Sequence, residues 1–351
     1  MKIAVIVRRL SGKGGMETVI RSLAEVIFEH GDSLEIWAMG SPIDSQWLSN
    51  LPHRIAPIDQ GTGRRFQLKA KLPLYTWAIR RLMQTSPVDV VLATDPVFVK
   101  AALNARRGKP PAVLSWVHFS LERLANVEYL RDADGHLAIS TGIRDQIQAL
   151  HPRSAPTVTY NPLPTMPDLL NPAPVSSDLA FIGRLNNRQK RLDVLFQALA
   201  LLTPRPWHLT IVGDGPDRDM LQDLAYQLKI SDRITWTLWK PNPWDGLHPR
   251  YLCLSSDFEG FPMALLESLA RGIPVVATDC PTGPGDIVIP GKNGWLSPPG
   301  DIKDLTANLA RTLDGPPLSW DAQKMRDDII ARFGPDHVFD RVIRAIHNTL
   351  P

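Results

Sequence analysis

The chain has only two cysteines in 351 residues, Cys253 and Cys280. That excludes a disulfide scaffold and a cysteine-rich zinc site, and it fits a reducing compartment. No apolar run reaches the roughly 18 residues of a membrane-spanning helix, and the mean hydropathy is −0.11. The first apolar stretch, residues 3–7 before Arg8-Arg9, is too short for a signal-peptide core and reads as a strand. The common nucleotide fingerprints are missing as well. Ser11-Gly-Lys-Gly-Gly15 has Val7 in place of the first glycine of a Walker A loop, and Gly14 follows Lys13 where Ser or Thr is needed. Glu17 takes the place of the third glycine of a dinucleotide turn, and Arg218 does the same after Gly213-Asp-Gly215. Kinase, ATPase and nicotinamide readings therefore lose their main support. There is no Gly-x-Ser-x-Gly elbow. No His, Cys or carboxylate cluster has metal-ligand spacing, and Asp132-Ala-Asp134 reads as a solvated turn.

What is present is a folding composition: 44% hydrophobic and 21% charged residues, which excludes general disorder. The length suits about two domains on a prior of ~150 residues each. Net charge is +3, from 39 basic and 36 acidic residues. It is uneven: residues 1–170 hold 20 Lys and Arg against 15 Asp and Glu, while residues 171–351 hold 19 against 21. The basic excess gathers at Arg64-Arg65, Lys69, Lys71, Arg80-Arg81 and Arg106-Arg107-Gly-Lys109. It points to an acidic partner, namely an anionic membrane surface, a phosphorylated substrate or nucleic acid. A plain solvated surface is an equal alternative. No nucleic-acid-binding motif accompanies the charge, so nucleic acid is not expected.

Strand-like runs alternate with helical patterns throughout. Strands are predicted over 2–7, 33–39, 88–94, 112–117 and 136–140, and helices over 16–30, 74–85 and 141–150. The stretch 152–174, rich in proline, reads as a linker. The alternation then restarts, with strands over 178–183, 208–212, 234–238, 252–255 and 274–278 around helices over 191–202, 217–228 and 262–271. A last helical run covers 336–349. The fold class is α/β, with two Rossmann-like domains facing across a cleft. The boundaries are 1–165, 166–335, and a C-terminal helix at 336–351 that packs back on the first domain. Glycine-rich turns before helices, Gly14-Gly15 and Gly213-Asp-Gly215, offer amides to anions or simply permit tight turns.

The informative segment runs from Ser255 to Asp286. Glu259 and Glu267 lie eight residues apart. Spacing alone means little, because Glu17 and Glu25 form another such pair on an ordinary amphipathic helix. Context separates the two. Glu259 falls in a loop after a strand, Pro262 suits a first helical turn, and Glu267 falls about one turn into the helix. Eight helical residues span ~12 Å, the scale of a nucleotide sugar.

This segment resembles the Glu-x7-Glu signature of retaining glycosyltransferases with two Rossmann-like domains (the GT-B fold). That family includes sucrose-phosphate synthases and lipopolysaccharide core transferases. Supporting stretches include Gly14-Gly15-Met-Glu-Thr18, Trp116-Val-His118, Ala138-Ile-Ser140, Tyr160-Asn-Pro162, Gly183-Arg-Leu185 with Lys190-Arg191, and Gly283-Pro284-Gly-Asp286. Gly-Gly-Met-Glu-Thr-Val-Ile20, His118-Phe-Ser-Leu121, Gln189-Lys-Arg191 and Phe258-Glu-Gly-Phe-Pro-Met263 are similar to the branch that adds 1,6-linked galactose to the lipopolysaccharide outer core.

The resemblance implies the following roles. Gly14 and Gly15 lie near the donor phosphates and the acceptor. His118 contacts the transferred sugar, with a capping or core histidine as the alternative. Arg184 and Lys190 clamp the diphosphate, with Arg188 and Arg191 leaving the register of the second open. Glu259 touches the sugar hydroxyls and Glu267 the ribose. Gly260, Phe261, Pro262 and Met263 bind the nucleotide sugar, and the amides of Phe261 to Leu265 face the phosphates. The base lies near Trp239, which suits a core position equally well. The implied partners are a UDP-sugar donor, UDP-galactose first, and a lipopolysaccharide core acceptor at the anionic inner face of the cytoplasmic membrane. Arg64, Arg65, Lys69 and Lys71 are candidates to contact acceptor or lipid, so the protein is expected to be cytoplasmic and peripheral. No metal cofactor is expected, since fixed cations can stabilise the leaving diphosphate. Another UDP-sugar donor, a UDP-sugar epimerase and a non-catalytic nucleotide-sugar binding protein remain as alternatives.

Overall fold

The structure, a computed structural model, describes residues 1–8, 15–44, 46–59, 70–108, 110–164, 166–170, 178–314 and 318–350. The chain divides into two compact units, Met1–Pro164 with Phe333–Pro351, and Thr165–Arg332.

The first unit is built on seven parallel strands: β1 (Lys2–Val7), β2 (Ser33–Ala38), β3 (His53–Ile55), β4 (Val90–Ala93), β5 (Ala112–Ser115), β6 (Gly135–Ala138) and β7 (Pro156–Val158). Their order is β3-β2-β1-β4-β5-β6-β7. Strands such as Ile-Ala-Val-Ile-Val and Val-Val-Leu-Ala are continuous apolar runs and fully buried. A parallel sheet demands this, because helices cover both of its faces. Chain order reverses between β1 and β4, which opens a crevice at their carboxyl ends.

The second unit repeats the scheme with β8 (Asp178–Ile182), β9 (His208–Val212), β10 (Ile234–Thr237), β11 (Tyr251–Leu254), β12 (Val275–Thr278) and β13 (Gly294–Ser297). The order is β10-β9-β8-β11-β12-β13, again all parallel. The reversal falls between β8 and β11. A core of Phe181, Leu195, Phe196, Trp207, Leu209, Leu221 and Leu305 packs one face.

Several features depart from the pattern read in the sequence, among them the strands β3 and β13. The proline-rich stretch 152–174 is not all linker, because β7 lies inside it and pairs Leu137 with Thr157. Pro156 opens that edge strand, where its missing N–H breaks no ladder bond. The helix Pro96–Ala105 escapes a periodicity search because almost every side is buried. Asp95 caps it, accepting from Val97 N at 2.9 Å, with proline in the first turn. The helices Ile302–Asp314 and Ala322–Phe333 follow β13. The final helix, Pro335–His347, belongs to the first unit, where Val338, Val342 and Ile346 are buried and Phe339 stacks on His30 at 4.4 Å between centroids.

Gly213 and Gly215 have a packing role. A Cβ on Gly213 would run into the carbonyl oxygen of Gly183, and one on Gly215 into that of Leu185. The two loops are tied by Leu185 N donating to Asp214 O at 2.9 Å. Gly213→Ala should therefore destabilise the second unit by about 1–3 kcal/mol, the usual range for overpacking. A urea midpoint equal to that of the wild type would refute this account.

Candidate active site

The loop after β11 begins with two fully buried serines, Ser255 and Ser256. Ser255 Oγ donates to Lys190 O at 2.8 Å, and Asp257 N donates to Gln189 O at 2.9 Å. The loop is thereby bound to the short helix Asn187–Lys190 that follows β8. Across this seam Lys190 Nζ meets Glu259 Oε1 at 2.6 Å, and Ser256 Oγ donates to the same oxygen at 2.6 Å. Gln189 Nε2 lies 3.5 Å from Glu259 Oε2. The carbonyl of Glu259 accepts from the Thr282 hydroxyl, which comes from the loop after β12. The basic residues whose register the sequence left open take different partners. Lys190 holds Glu259, Arg191 forks onto Asp257 at 2.9 and 3.0 Å, and Arg188 is exposed. Arg191 also bonds Asp193, and these carboxylates hold its pKa above the ordinary arginine value. Arg184 follows β8, is exposed, and has no side-chain partner among the described residues.

Pro262 caps the helix Met263–Ala270, and Gly260 and buried Phe261 lead into it. The amides of Met263 and Ala264 have no partner among the described residues, as expected of a first turn. Leu265 N is taken by Pro262 O at 3.0 Å, so the set of free amides is shorter than the resemblance implied. Glu267 is half-buried, and burial raises its pKa. Its Oε2 accepts from Trp244 Nε1 at 2.9 Å. Trp239, the tryptophan singled out in the sequence, is 40% exposed, whereas Trp244 is 3% exposed and makes the contact. Nothing in the sequence separates the two, since both lie in one proline-containing loop. Ser256, Gln189, Thr282 and Arg271 were likewise missed; only the Ser255-Ser256 pair closing an apolar strand carried a hint.

In the first unit, Gly15 opens the helix Gly15–Glu29 after β1. Gly14, Arg64, Arg65 and Lys69 lie outside the described residues. Lys71, the one described member of the basic set expected at acceptor or lipid, is paired within the protein. Its Nζ sits 2.7 Å from Asp59 Oδ1, and Tyr75 donates to Asp59 Oδ2 at 2.8 Å. Asp59 is 3% exposed, so Lys71, with Arg8 Nε at 3.7 Å, is a counter-ion of a buried carboxylate. His118 follows β5, and its ring meets Trp116 edge-on at 4.5 Å. Its Nε2 is buried without a partner among the described residues. Asp134 is held by Arg106 and by Val113 N at 2.9 Å, and Asp132 pairs with Lys100 at 3.2 Å, so this Asp-x-Asp is structural.

Both units thus gather polar groups at the carboxyl ends of the strands beside the order reversal, where doubly wound folds bind ligands. Two family models match, one in each half: Glycosyltransferase Family 4 over residues 13–166 and Glycosyl transferases group 1 over residues 174–332. The lipopolysaccharide 1,6-galactosyltransferase of Salmonella typhimurium is 36% identical over 332 residues, 90% of either chain. The chain belongs to these family 4 glycosyltransferases. The Escherichia coli lipopolysaccharide 1,6-galactosyltransferase is also 36% identical, over 329 residues and 90% of either chain. The lipopolysaccharide outer core galactosyltransferase WaaB, in its apo form, matches at a TM-score of 0.85 and 31% identity over the full length of both chains. This glycosyltransferase therefore has the two parallel-sheet domains of the GT-B fold.

Burial pushes the His118 pKa down to about 3 and that of His136, which bonds Ser115 at 2.7 Å, down to about 4, from 6.5. Both rings are neutral in the folded enzyme near neutrality. Below pH 6.5 the unfolded chain takes up protons that the folded chain cannot, so stability falls as pH drops towards 4. The slope is about 1.4 kcal/mol per pH unit for each histidine. Stability measured against pH should decline less steeply in His118→Gln. An imidazole resonance of His118 titrating near 6.5 would contradict the assignment.

Proposed function

We propose that this glycosyltransferase moves galactose from UDP-galactose, with retention, onto a glucosyl residue of the lipopolysaccharide core. The observation that supports it most is the Lys190–Glu259 contact beside the free amides of Met263 and Ala264. It occurs in a chain that aligns over 90% of its length with two lipopolysaccharide 1,6-galactosyltransferases.

Breaking the sugar–diphosphate bond puts negative charge on the departing oxygen. Arg184, Lys190 and the helix N-terminus are fixed positive groups for it. Removing one such donor typically costs on the order of 10²–10³ in rate. The acceptor hydroxyl attacks from the face that the diphosphate leaves. The anomeric C–O bond to phosphate breaks, the bond to the acceptor oxygen forms, and the hydroxyl proton passes to the departing phosphate oxygen. Glu259 Oε2 accepts from a sugar hydroxyl. No metal ion takes part in this scheme. Among the described residues no helix is long and apolar enough to cross a membrane. The acceptor is held at the inner membrane face, with Arg64, Arg65 and Lys69 on anionic lipid or core phosphate.

The test is UDP release from a panel of sugar nucleotides, with and without a truncated lipopolysaccharide core. Release from UDP-galactose should require the acceptor, fall at least about 10²-fold in Glu259→Ala, and survive excess chelator. Preference for another sugar would reject the galactosyl assignment. Complete loss in chelator would reject the metal-free scheme, and a trapped glycosyl–enzyme adduct the front-face attack.

A further inference from the structure

Glu267 is held by an indole rather than by a cation. Among the described residues, Trp244 Nε1 is the one hydrogen-bond donor to its carboxylate, at 2.9 Å on Oε2. Arg271 lies one helical turn on but does not pair with the carboxylate within 4.0 Å. Its Nη1 donates instead to the backbone carbonyl of Glu267 at 2.8 Å. Its Cζ stands 4.6 Å from the centre of the Trp244 ring, within cation–π range. The guanidinium therefore fixes the ring, and the ring fixes the carboxylate. At 3% exposure Trp244 has no open face on which a base could stack. Glu267 Oε1 accepts nothing from the described residues, and the side chain is half-buried, so this oxygen is open to a ligand.

We propose that Trp244, braced by Arg271, is the positioning residue that aims Glu267 at the ribose hydroxyls of the donor. The proposal deepens the function given above and rests on Glu267 meeting the ribose. A carboxylate at the end of a glutamate turns freely about its last torsion. One bond to Oε2 leaves Oε1 pointing in a single direction. The residue acts through Glu267 and touches no reacting atom.

The experiment measures binding of UDP and of 2′,3′-dideoxy-UDP to the wild type and to Trp244→Phe, which keeps a ring on Arg271 but removes the N–H. The wild type should bind UDP more tightly than the dideoxy analogue by about tenfold or more, the scale of one hydrogen bond to a charged group. Trp244→Phe should weaken UDP towards the analogue and leave analogue binding nearly unchanged. Equal weakening of both ligands would mean that Trp244 is merely structural, and would overturn the proposal. A wild type indifferent to the ribose hydroxyls would overturn the ribose reading itself, and this proposal with it. Should Trp244→Phe not fold, benzothienylalanine at position 244, which exchanges N–H for sulfur in the same shape, gives the same comparison.

Discussion

Lys190 and Glu259 are 69 residues apart in sequence, and their 2.6 Å contact closes the seam between the loops that leave β8 and β11. These are the neighbouring strands at which chain order reverses, so the seam lies where a parallel sheet leaves an opening. The side chains are largely buried, at 14% and 8% exposure. Stripping water from two charges costs several kcal/mol per ion, and their attraction repays this only with good geometry and further hydrogen bonds. Both conditions are met, with Ser256 Oγ on the carboxylate and the two backbones laced by Ser255, Gln189 and Asp257. An apolar pair of the same volume would serve stability as well. What it would not supply is an ammonium with further N–H bonds to give and a carboxylate whose second oxygen has only a 3.5 Å amide contact.

The same seam explains the glycines. Gly213 and Gly215 let the β9 loop touch the backbone of Gly183 and Leu185. Gly283, at φ +97°, lets the β12 loop press on Gly260 and Pro262. Thr282 then reaches the carbonyl of Glu259. Loops from four adjacent strands thus converge, with glycine at the closest backbone approaches. The positions of Arg184 and of the free amides at Met263 and Ala264 follow from that convergence.

How much of this the sequence discloses depends on which physical signal each part leaves. Buried parallel strands announce themselves as apolar runs, and β1, β4 and β11 are plain. The three-residue edge strands β3 and β7 are not, because His53-Arg-Ile55 is exposed and Pro156-Thr-Val158 sits among prolines. The helix Pro96–Ala105 hides because burial on almost every side erases amphipathic periodicity. In the site, Glu259 and Glu267 stand out through the turn and proline between them. Their partners do not. Whether Lys190 or Arg191 meets Glu259 depends on one left-handed residue, Arg191 at φ 47°, which redirects the chain between two helices. Which tryptophan of the 239–244 loop turns inward depends on a contact with Arg271 from another element.

The two glutamates carry the same group into different surroundings. Glu259 Oε1 is filled by an ammonium and a hydroxyl, which leaves Oε2 with only a 3.5 Å amide contact. Glu267 Oε2 is filled by one indole N–H, which leaves Oε1 open, and here burial raises the pKa. In each case the protein uses one oxygen to set direction and leaves the other to accept. At Glu267 a ligand hydroxyl can bond Oε1 without displacing a protein bond, and at Glu259 it competes only with the long Gln189 contact. For Glu259 the ammonium travels with the carboxylate, so a diphosphate oxygen can be held on the remaining N–H bonds of Lys190 while the ion pair stays intact. On the proposed reading, charge is paired where the leaving group is stabilised, and left to a neutral donor where only orientation is required.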